Sequence, residues 1–187
     1  MMQAAPSSIL DALRAAVPVI RTQRLVLRAP RLEDGALMVA YMGGPRSHMD
    51  GGPLAPDAVL ELLFRGTGQW LLRGYGQWHV DDAETGRFIA RIGLFHPPSW
   101  PEAELAWAML DPEAEGKGLA LEGALAAREA AARLWGITRP ISSIKKDNAR
   151  SIRLAERMGA RFEAERETIY GPMQTWRHPE TAPETVA

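Results

Sequence analysis

Apolar and polar positions first alternate at Thr22-Gln-Arg-Leu-Val-Leu-Arg28, where Leu25 and Leu27 are set against Arg24, Val26 and Arg28. That period of two predicts a strand with one buried face. Before it, Ser8 to Ala16 reads as a short helix with Ser7 or Ser8 as its cap. After it, Arg31-Leu-Glu-Asp34 leads into a short helix over Ala36 to Tyr41, capped by Asp34 or Glu33. Gly43 to Pro56 is rich in Gly and Pro and is predicted as a loop. Asp57 is expected to cap a second helix that uses Val59, Leu60, Leu62, Leu63 and Phe64. Tyr75 to Asp81 and Arg87 to Phe95 read as a hairpin around Ala83-Glu-Thr-Gly86, and Glu104 to Leu110 as a third strand, ended by Asp111-Pro112.

A long helix is predicted from Gly118 to Trp135, closed by Gly136. Its apolar stripe uses Leu121, Ala124, Leu125, Ala131, Leu134 and Trp135, with Glu122, Arg128, Glu129 and Arg133 outside. Pro140 to Ile144 reads as a strand, Asn148 to Met158 as a helix closed by Gly159, and Phe162 to Tyr170 as a last strand. The order β-α-α-β-β-β-α-β-α-β implies an α/β (α+β) domain with a mixed, mostly antiparallel sheet and flanking helices. The expected boundaries are an N-terminal extension over 1–20, one domain over 21–179 and a tail over 180–187, with Ala182 to Ala187 read as frayed.

Composition removes several alternatives. The chain of 187 residues is 46% hydrophobic and 24% charged, as expected for a globular domain. Its formal net charge of -1 gives no basic excess for nucleic acid. The absence of cysteine excludes disulfides, thiolate metal sites and a cysteine nucleophile. His48, His79, His96 and His178 lack metal-ligand spacing, so no metal is expected. No apolar run approaches the ~20 residues of a membrane span. The N-terminal segment lacks a basic start and is interrupted by Asp11 and Arg14, unlike a signal peptide, so a cytoplasmic location is expected.

The stretch Trp107-Ala-Met-Leu-Asp-Pro-Glu-Ala-Glu-Gly-Lys-Gly-Leu-Ala-Leu-Glu122 concentrates the chemistry. A strand stops at Asp111-Pro112, and the small residues Gly116, Gly118 and Ala120 then open a helix. They admit close approach of a ligand, and the free N–H groups of the first turn, with the positive end of the helix dipole, suit a pyrophosphate. Lys117 adds a point charge. An ordinary Gly-rich strand-to-helix turn would read the same way.

The chain resembles the GNAT N-acetyltransferase superfamily, and within it the branch of ribosomal-protein N-terminal acetyltransferases (RimJ/RimL-like). Four motifs carry the resemblance in order. They are Thr22 to Arg28 with Leu32-Glu-Asp34, Glu115-Gly-Lys-Gly-Leu-Ala120, Asn148-Ala-Arg-Ser-Ile-Arg-Leu-Ala-Glu-Arg-Met-Gly159, and Tyr170 to Pro179, which with its Trp-Arg-His-Pro ending resembles the usual final strand. The resemblance implies that acetyl-CoA is the co-substrate. Its pantetheine arm would pair with backbone groups of Trp107, Ala108, Met109 and Leu110, beside a central strand pair that splays apart. Its pyrophosphate would lie on Gly116, Lys117, Gly118, Leu119 and Ala120. Asn148 would bond the pantetheine arm, although a plain helix cap explains it too.

Without cysteine, direct attack by an amine on the thioester is the implied route, with a base acting directly or through water. Glu104 sits where the branch often has a carboxylate facing substrate; a surface carboxylate beside Glu102 is the competing reading. A backbone N–H of the splayed strand is a candidate for holding the oxyanion. Many superfamily members carry a tyrosine seven residues after the asparagine, where this chain has Ala155, and Ser151 is the candidate to replace it. Glu115 stands where Arg or Gln is usual, which predicts weaker hold on a diphosphate unless its side chain points elsewhere.

Trp70, Trp78, Trp100 and Trp107, with His79, His96 and the loop from Gly43 to Pro56, are candidates to line an acceptor pocket. The expected partner is a small-molecule amine or a protein N-terminus, with a homodimer as an allowed assembly and no nucleic acid or membrane. A non-catalytic acyl-CoA-binding module is the alternative, motivated by Glu115 and the missing tyrosine.

Overall fold

The computed structural model describes residues 8–182. The cap candidate Ser7 and the expected tail beyond Ala182 lie outside the described residues. Helix α1 spans Ile9–Ala16, with the Ser8 hydroxyl accepting the Asp11 N–H at its start. Strands β1 (Ile20–Arg21), β2 (Leu25–Arg28), β3 (Gln77–Asp82), β4 (Phe88–Phe95), β5 (Glu104–Met109), β6 (Ile141–Ile144), β7 (Arg161–Thr168) and β8 (Gly171–Arg177) form one sheet. Its order is β1-β2-β3-β4-β5-β6-β8-β7, and every pairing is antiparallel except β5 with β6. The mixed, mostly antiparallel sheet expected from the sequence is therefore present.

Helix α4 (Leu119–Trp135) lies on one face of the sheet. Its alanines Ala124, Ala127 and Ala130 let it come close to Leu25, Ile92 and Leu105. Helices α2 (Gly35–Met42) and α3 (Pro56–Arg73) supply Met38, Tyr41, Met42, Val59 and Leu63 to a second cluster that includes Ala108 and Leu110. Helix α5 (Ala149–Arg157) packs Ala155 against Ile144 and Trp176. These clusters are assembled by burying apolar surface at about 25 cal/mol per Å².

Several sequence expectations are corrected. The last strand of the pattern, Phe162 to Tyr170, is β7, and one more follows it: Gly171, at φ 90, reverses the chain into β8, within the Tyr170 to Pro179 segment where the resemblance expects the final strand. Only glycine adopts that left-handed turn readily. Neither expected cap on α2 and α3 operates. Asp34 makes no cap to α2 because its oxygens are held by Arg28 and His79. Helix α3 starts with Pro56 at its first position and no side-chain cap. The Gly43 to Pro56 segment contains a 3-10 helix over Pro45–Asp50. On α4 the expected stripe packs inward through Leu121, Ala124, Leu125, Ala131 and Trp135. Leu134 departs from it and is exposed, while Arg128, expected outside, tucks inward and donates to the Met158 carbonyl. Ala127 and Ala130 join the buried face, where small side chains allow close approach to the sheet.

Beneath α2 lies a charged knot. The Arg28 guanidinium is held bidentately by Asp34 (2.7 and 2.8 Å) and by Asp81 (2.6 and 2.7 Å). His79 Nδ1 stands 2.6 Å from Asp34 Oδ2; a carboxylate only accepts, so Nδ1 carries the proton. The opening motif read as strand and helix start is thus also an ion network joining β2, β3 and the entry to α2.

Candidate functional site

Strands β5 and β6 run side by side only at Glu104 and Ile141 and then part. Side chains replace the missing ladder. The Ser142 hydroxyl donates to the Leu105 carbonyl, and the Ser143 N–H donates to Glu104 Oε2 at 3.2 Å. The divergence opens into a cavity of about 830 Å³ between the sheet, α3, the Pro45–Asp50 segment and the tip of the β7–β8 hairpin. This is the splayed central pair that the resemblance implied.

Glu104 is buried, with its carboxylate in the cavity wall and Oε2 also accepting from Trp100 Nε1 at 2.9 Å. The Ser143 side chain bonds the same carboxylate. The reading of Glu104 as a surface carboxylate is excluded. Burial pushes its pKa up, and the bonds from Ser143 and Trp100 oppose that rise only in part. A carboxyl raised in this way is a stronger base than an ordinary exposed carboxylate.

Across the slot, Asn148 caps α5 by accepting the Ser151 N–H at 3.1 Å, and the Ser151 hydroxyl stands 3.3 Å from Trp107 Nε1, which donates to it. Trp107, Ala108, Asn148 and Ser151 all line the cavity, so the structure brings them together with Glu104. The cap reading of Asn148 therefore holds, and its amide nitrogen still has donors to offer.

The Gly-rich turn follows β5 through a 3-10 helix at Pro112–Ala114. Gly118 is the residue before α4, at φ 79, and having no side chain it leaves the first-turn N–H groups of Leu119 and Ala120 uncapped. Open donors at the positive end of a 17-residue helix suit a diphosphate, and the residues fit that group. Lys117 is exposed beside them. Gly118→Val is expected to weaken coenzyme A binding by at least about tenfold, since a β-branched residue resists positive φ and its side chain would stand before the donors. Calorimetry on a variant with an unchanged melting point checks this, and unaltered affinity would refute the placement.

Two neighbours of the turn were not legible in the sequence. Arg46 and Arg150 grip Glu115 from either side, and Arg46 also donates to the carbonyls of Leu110 (2.8 Å) and Met109 (3.2 Å). Burial raises the Glu115 pKa, but the bonds from Arg150 and Arg46 outweigh it and hold the carboxyl below its usual range. The unexpected acid is thereby neutralised, and two of the carbonyls expected to pair with pantetheine are occupied by Arg46. Glu115→Gln should free both guanidiniums and tighten coenzyme A binding about two- to fivefold at low ionic strength, an effect that salt erases. No change at low salt would show that the two arginines do not reach the ligand.

Of the aromatic candidates, Trp100, Trp107 and His96 line the cavity, as do Met49, Asp50 and Leu54 of the loop. Trp70 and Trp78 do not. They meet edge-on at 5.2 Å in the core beside Trp135, where alternate strand positions face α4. His79 is withdrawn into the Asp34 knot.

Residues 24–161 match the family model described as Acetyltransferase (GNAT) domain. An acetyltransferase from Agrobacterium tumefaciens shares 31% identity over 88% of this chain and 95% of its own, with a TM-score of 0.80. At lower identity the fold is shared with the ribosomal-protein-S5-alanine acetyltransferase of Vibrio fischeri (13% identity, 88% of this chain, 97% of that one, TM-score 0.68). It is shared as well with a ribosomal L7/L12 alpha-N-protein acetyltransferase solved in complex with coenzyme A (15%, 86% and 97%, TM-score 0.70). Among curated proteins none matches the chain. A matched domain covering most of the sequence, on a sheet whose central strands part above a Gly-rich helix start, places this chain in the GNAT acetyltransferase family.

Proposed function

We propose that this protein is an acetyl-CoA-dependent N-acetyltransferase that transfers its acyl group directly to a primary amine. The observation that carries the reading is the buried Glu104 carboxylate, facing a large cavity at the point where β5 and β6 separate. Bound acetyl-CoA would supply an activated thioester. Its diphosphate would be held by the N–H groups around Gly118, with Arg46 and Arg150 near, and its pantetheine arm by Asn148 and by the edge of β5 from Trp107 to Leu110, where Arg46 would have to yield the Met109 and Leu110 carbonyls.

Glu104 then serves as the base. It removes a proton from the acceptor's ammonium, directly or through water, and so generates the neutral amine that attacks. Trp100 and the Ser143 N–H fix the carboxylate through Oε2 and hold it in the cavity wall. Ser151, positioned by Trp107, hydrogen-bonds the departing sulfur. A thiolate with a pKa near 8.5 needs little more help. The absence of cysteine excludes a thiol acyl-enzyme on this chain.

The acceptor is a small-molecule amine or a protein N-terminus. Similarity in fold to ribosomal-protein acetyltransferases supports the second without selecting it. The pairing of Glu115 removes the electrostatic argument for a non-catalytic module. Release of free thiol from acetyl-CoA is expected with at least one class in a panel of alkylamines, amino acids and N-terminal peptides. No release above hydrolysis with any of them, from a protein that binds coenzyme A, would overturn the reading.

A further inference from the structure

Arg91 is an unspent charge in this cavity. It lies on β4 opposite Ala108 of β5 and His79 of β3, and it lines the cavity. On β5, Ala108 and Glu104 are four residues apart, so they point to the same face, about 13 Å apart along the strand. Arg91 therefore shares the cavity with Glu104 on the side covered by α3 and the Pro45–Asp50 segment.

A guanidinium carries five donors. Among the described residues that of Arg91 forms no ion pair, and its Nε is sealed from solvent with no hydrogen-bond partner. Buried polar groups are nearly always satisfied, so a partnerless Nε beside a cavity marks donors that a ligand can take up. Asp50 acts on Arg91 through space and offsets part of its charge, but its hydrogen bond is with the Tyr41 hydroxyl, and burial pushes its own carboxyl up. Arg65 adds a second cation to the same wall. A planar fork of unused donors matches a carboxylate.

We propose that Arg91 binds a carboxylate carried by the acyl acceptor itself, so that the preferred acceptor holds an amine and, several bonds away, a carboxylate. The proposal rests on reading the cavity as the acceptor site. With the amine beside Glu104 and the carboxylate on Arg91, the substrate lies along β5, and its charge sets both affinity and orientation. Two sources supply that chemistry, a small amino acid-like molecule with a free carboxylate and a peptide N-terminus with an acidic side chain.

The test is calorimetric affinity of the coenzyme A-loaded protein for paired acceptors that differ only in carboxylate against carboxamide. One pair is glycylglycine and glycylglycinamide, and the other is seryl-glutamyl amide and seryl-glutaminyl amide. The protein should bind the carboxylate member of at least one pair about tenfold more tightly or better, and which pair it is identifies the source. Arg91→Gln should narrow that ratio to within about threefold, while Arg91→Lys, which keeps the charge but loses the fork, retains part of it. No preference in either pair overturns the proposal, as does a parallel fall of both members in Arg91→Gln. Should Arg91→Gln fail to fold, the ratio in Arg91→Lys against that of the unaltered protein decides. Because the readout is binding, it stands apart from turnover. Failure of every amine to be acetylated would sink the catalytic reading and leave the ratio measurable, whereas a lost ratio with acetylation intact would sink only this one.

Discussion

Glu104→Gln is expected to lower kcat/KM by about 10²–10⁴-fold at neutral pH, while Ser151→Ala lowers it by less than about tenfold. Glutamine keeps the shape and can still accept from Trp100 and the Ser143 N–H, so the loss reports the missing base rather than a collapsed wall. The pH dependence follows from the direction of the Glu104 shift. Its carboxyl is raised by burial, so the base form is lost as pH falls through a value above the ordinary carboxylate range. At high pH the acceptor is already a free amine, and the two proteins should converge. That convergence comes earlier for an N-terminal amine, with a pKa of about 8, than for a lysine-like amine near about 10.4. The measurement is a pH series on one verified acceptor. A more damaging Ser151→Ala, or a near-neutral Glu104→Gln at neutral pH, reverses the assignment of roles.

The second large effect is on stability. Asp34→Ala should destabilise the fold by about 3–5 kcal/mol, because it leaves buried Arg28 with Asp81 and the Ala29 carbonyl alone and takes away the hydrogen-bond partner of the buried His79 ring. Asp34→Asn should cost less, since an amide oxygen can still accept one bond. Burial alone would raise the Asp34 pKa, but the bonds from Arg28 and His79 outweigh it and hold it well below the usual carboxylate range. A depressed carboxyl contributes stability that is fully present above its unfolded pKa, about 3.9, and is lost as pH falls toward the folded value. Burial also lowers the His79 pKa, which favours the neutral ring, so acid works against both members of the pair. Urea unfolding of the three proteins across the acid range checks this. A loss under about 1 kcal/mol for Asp34→Ala at neutral pH would show that the knot is dispensable.

Much of this was written in short stretches of sequence. The alternation at Leu25 and Leu27, the hairpin around Gly86 and the Gly-rich entry to α4 each depend on residues close in the chain, and the structure has them nearly where the pattern put them. The two strands of the β7–β8 hairpin were expected on different grounds, Phe162 to Tyr170 from its pattern and Tyr170 to Pro179 from the resemblance, and Gly171 makes the reversal between them. The stripe on α4 was legible at Leu121, Ala124, Leu125, Ala131 and Trp135, while the packing of Ala127 and Ala130 was not, because alanine signals little by hydrophobicity and much by allowing close approach.

The site divides in the same way. Gly116 to Ala120, Asn148 and Ser151 were legible because anion binding and capping use neighbouring backbone groups at fixed offsets. Their sequence also determined what was missing: with no cysteine, there is no thiol nucleophile. Only the tertiary structure decided the fate of the charges. Arg46 and Arg150 reach Glu115 from positions 69 and 35 residues away, which turns an apparent liability into a neutral cluster. Glu104 became a raised carboxyl because the fold takes it out of solvent, a rise that the bonds from Trp100 and Ser143 only partly oppose, and Arg91 meets Asp50 through space with no hydrogen bond between them while Asp50 bonds Tyr41. A charge acquires its pKa and its partner from the solvent it loses and the groups that converge on it in space, and neither is encoded at the position where the charge occurs.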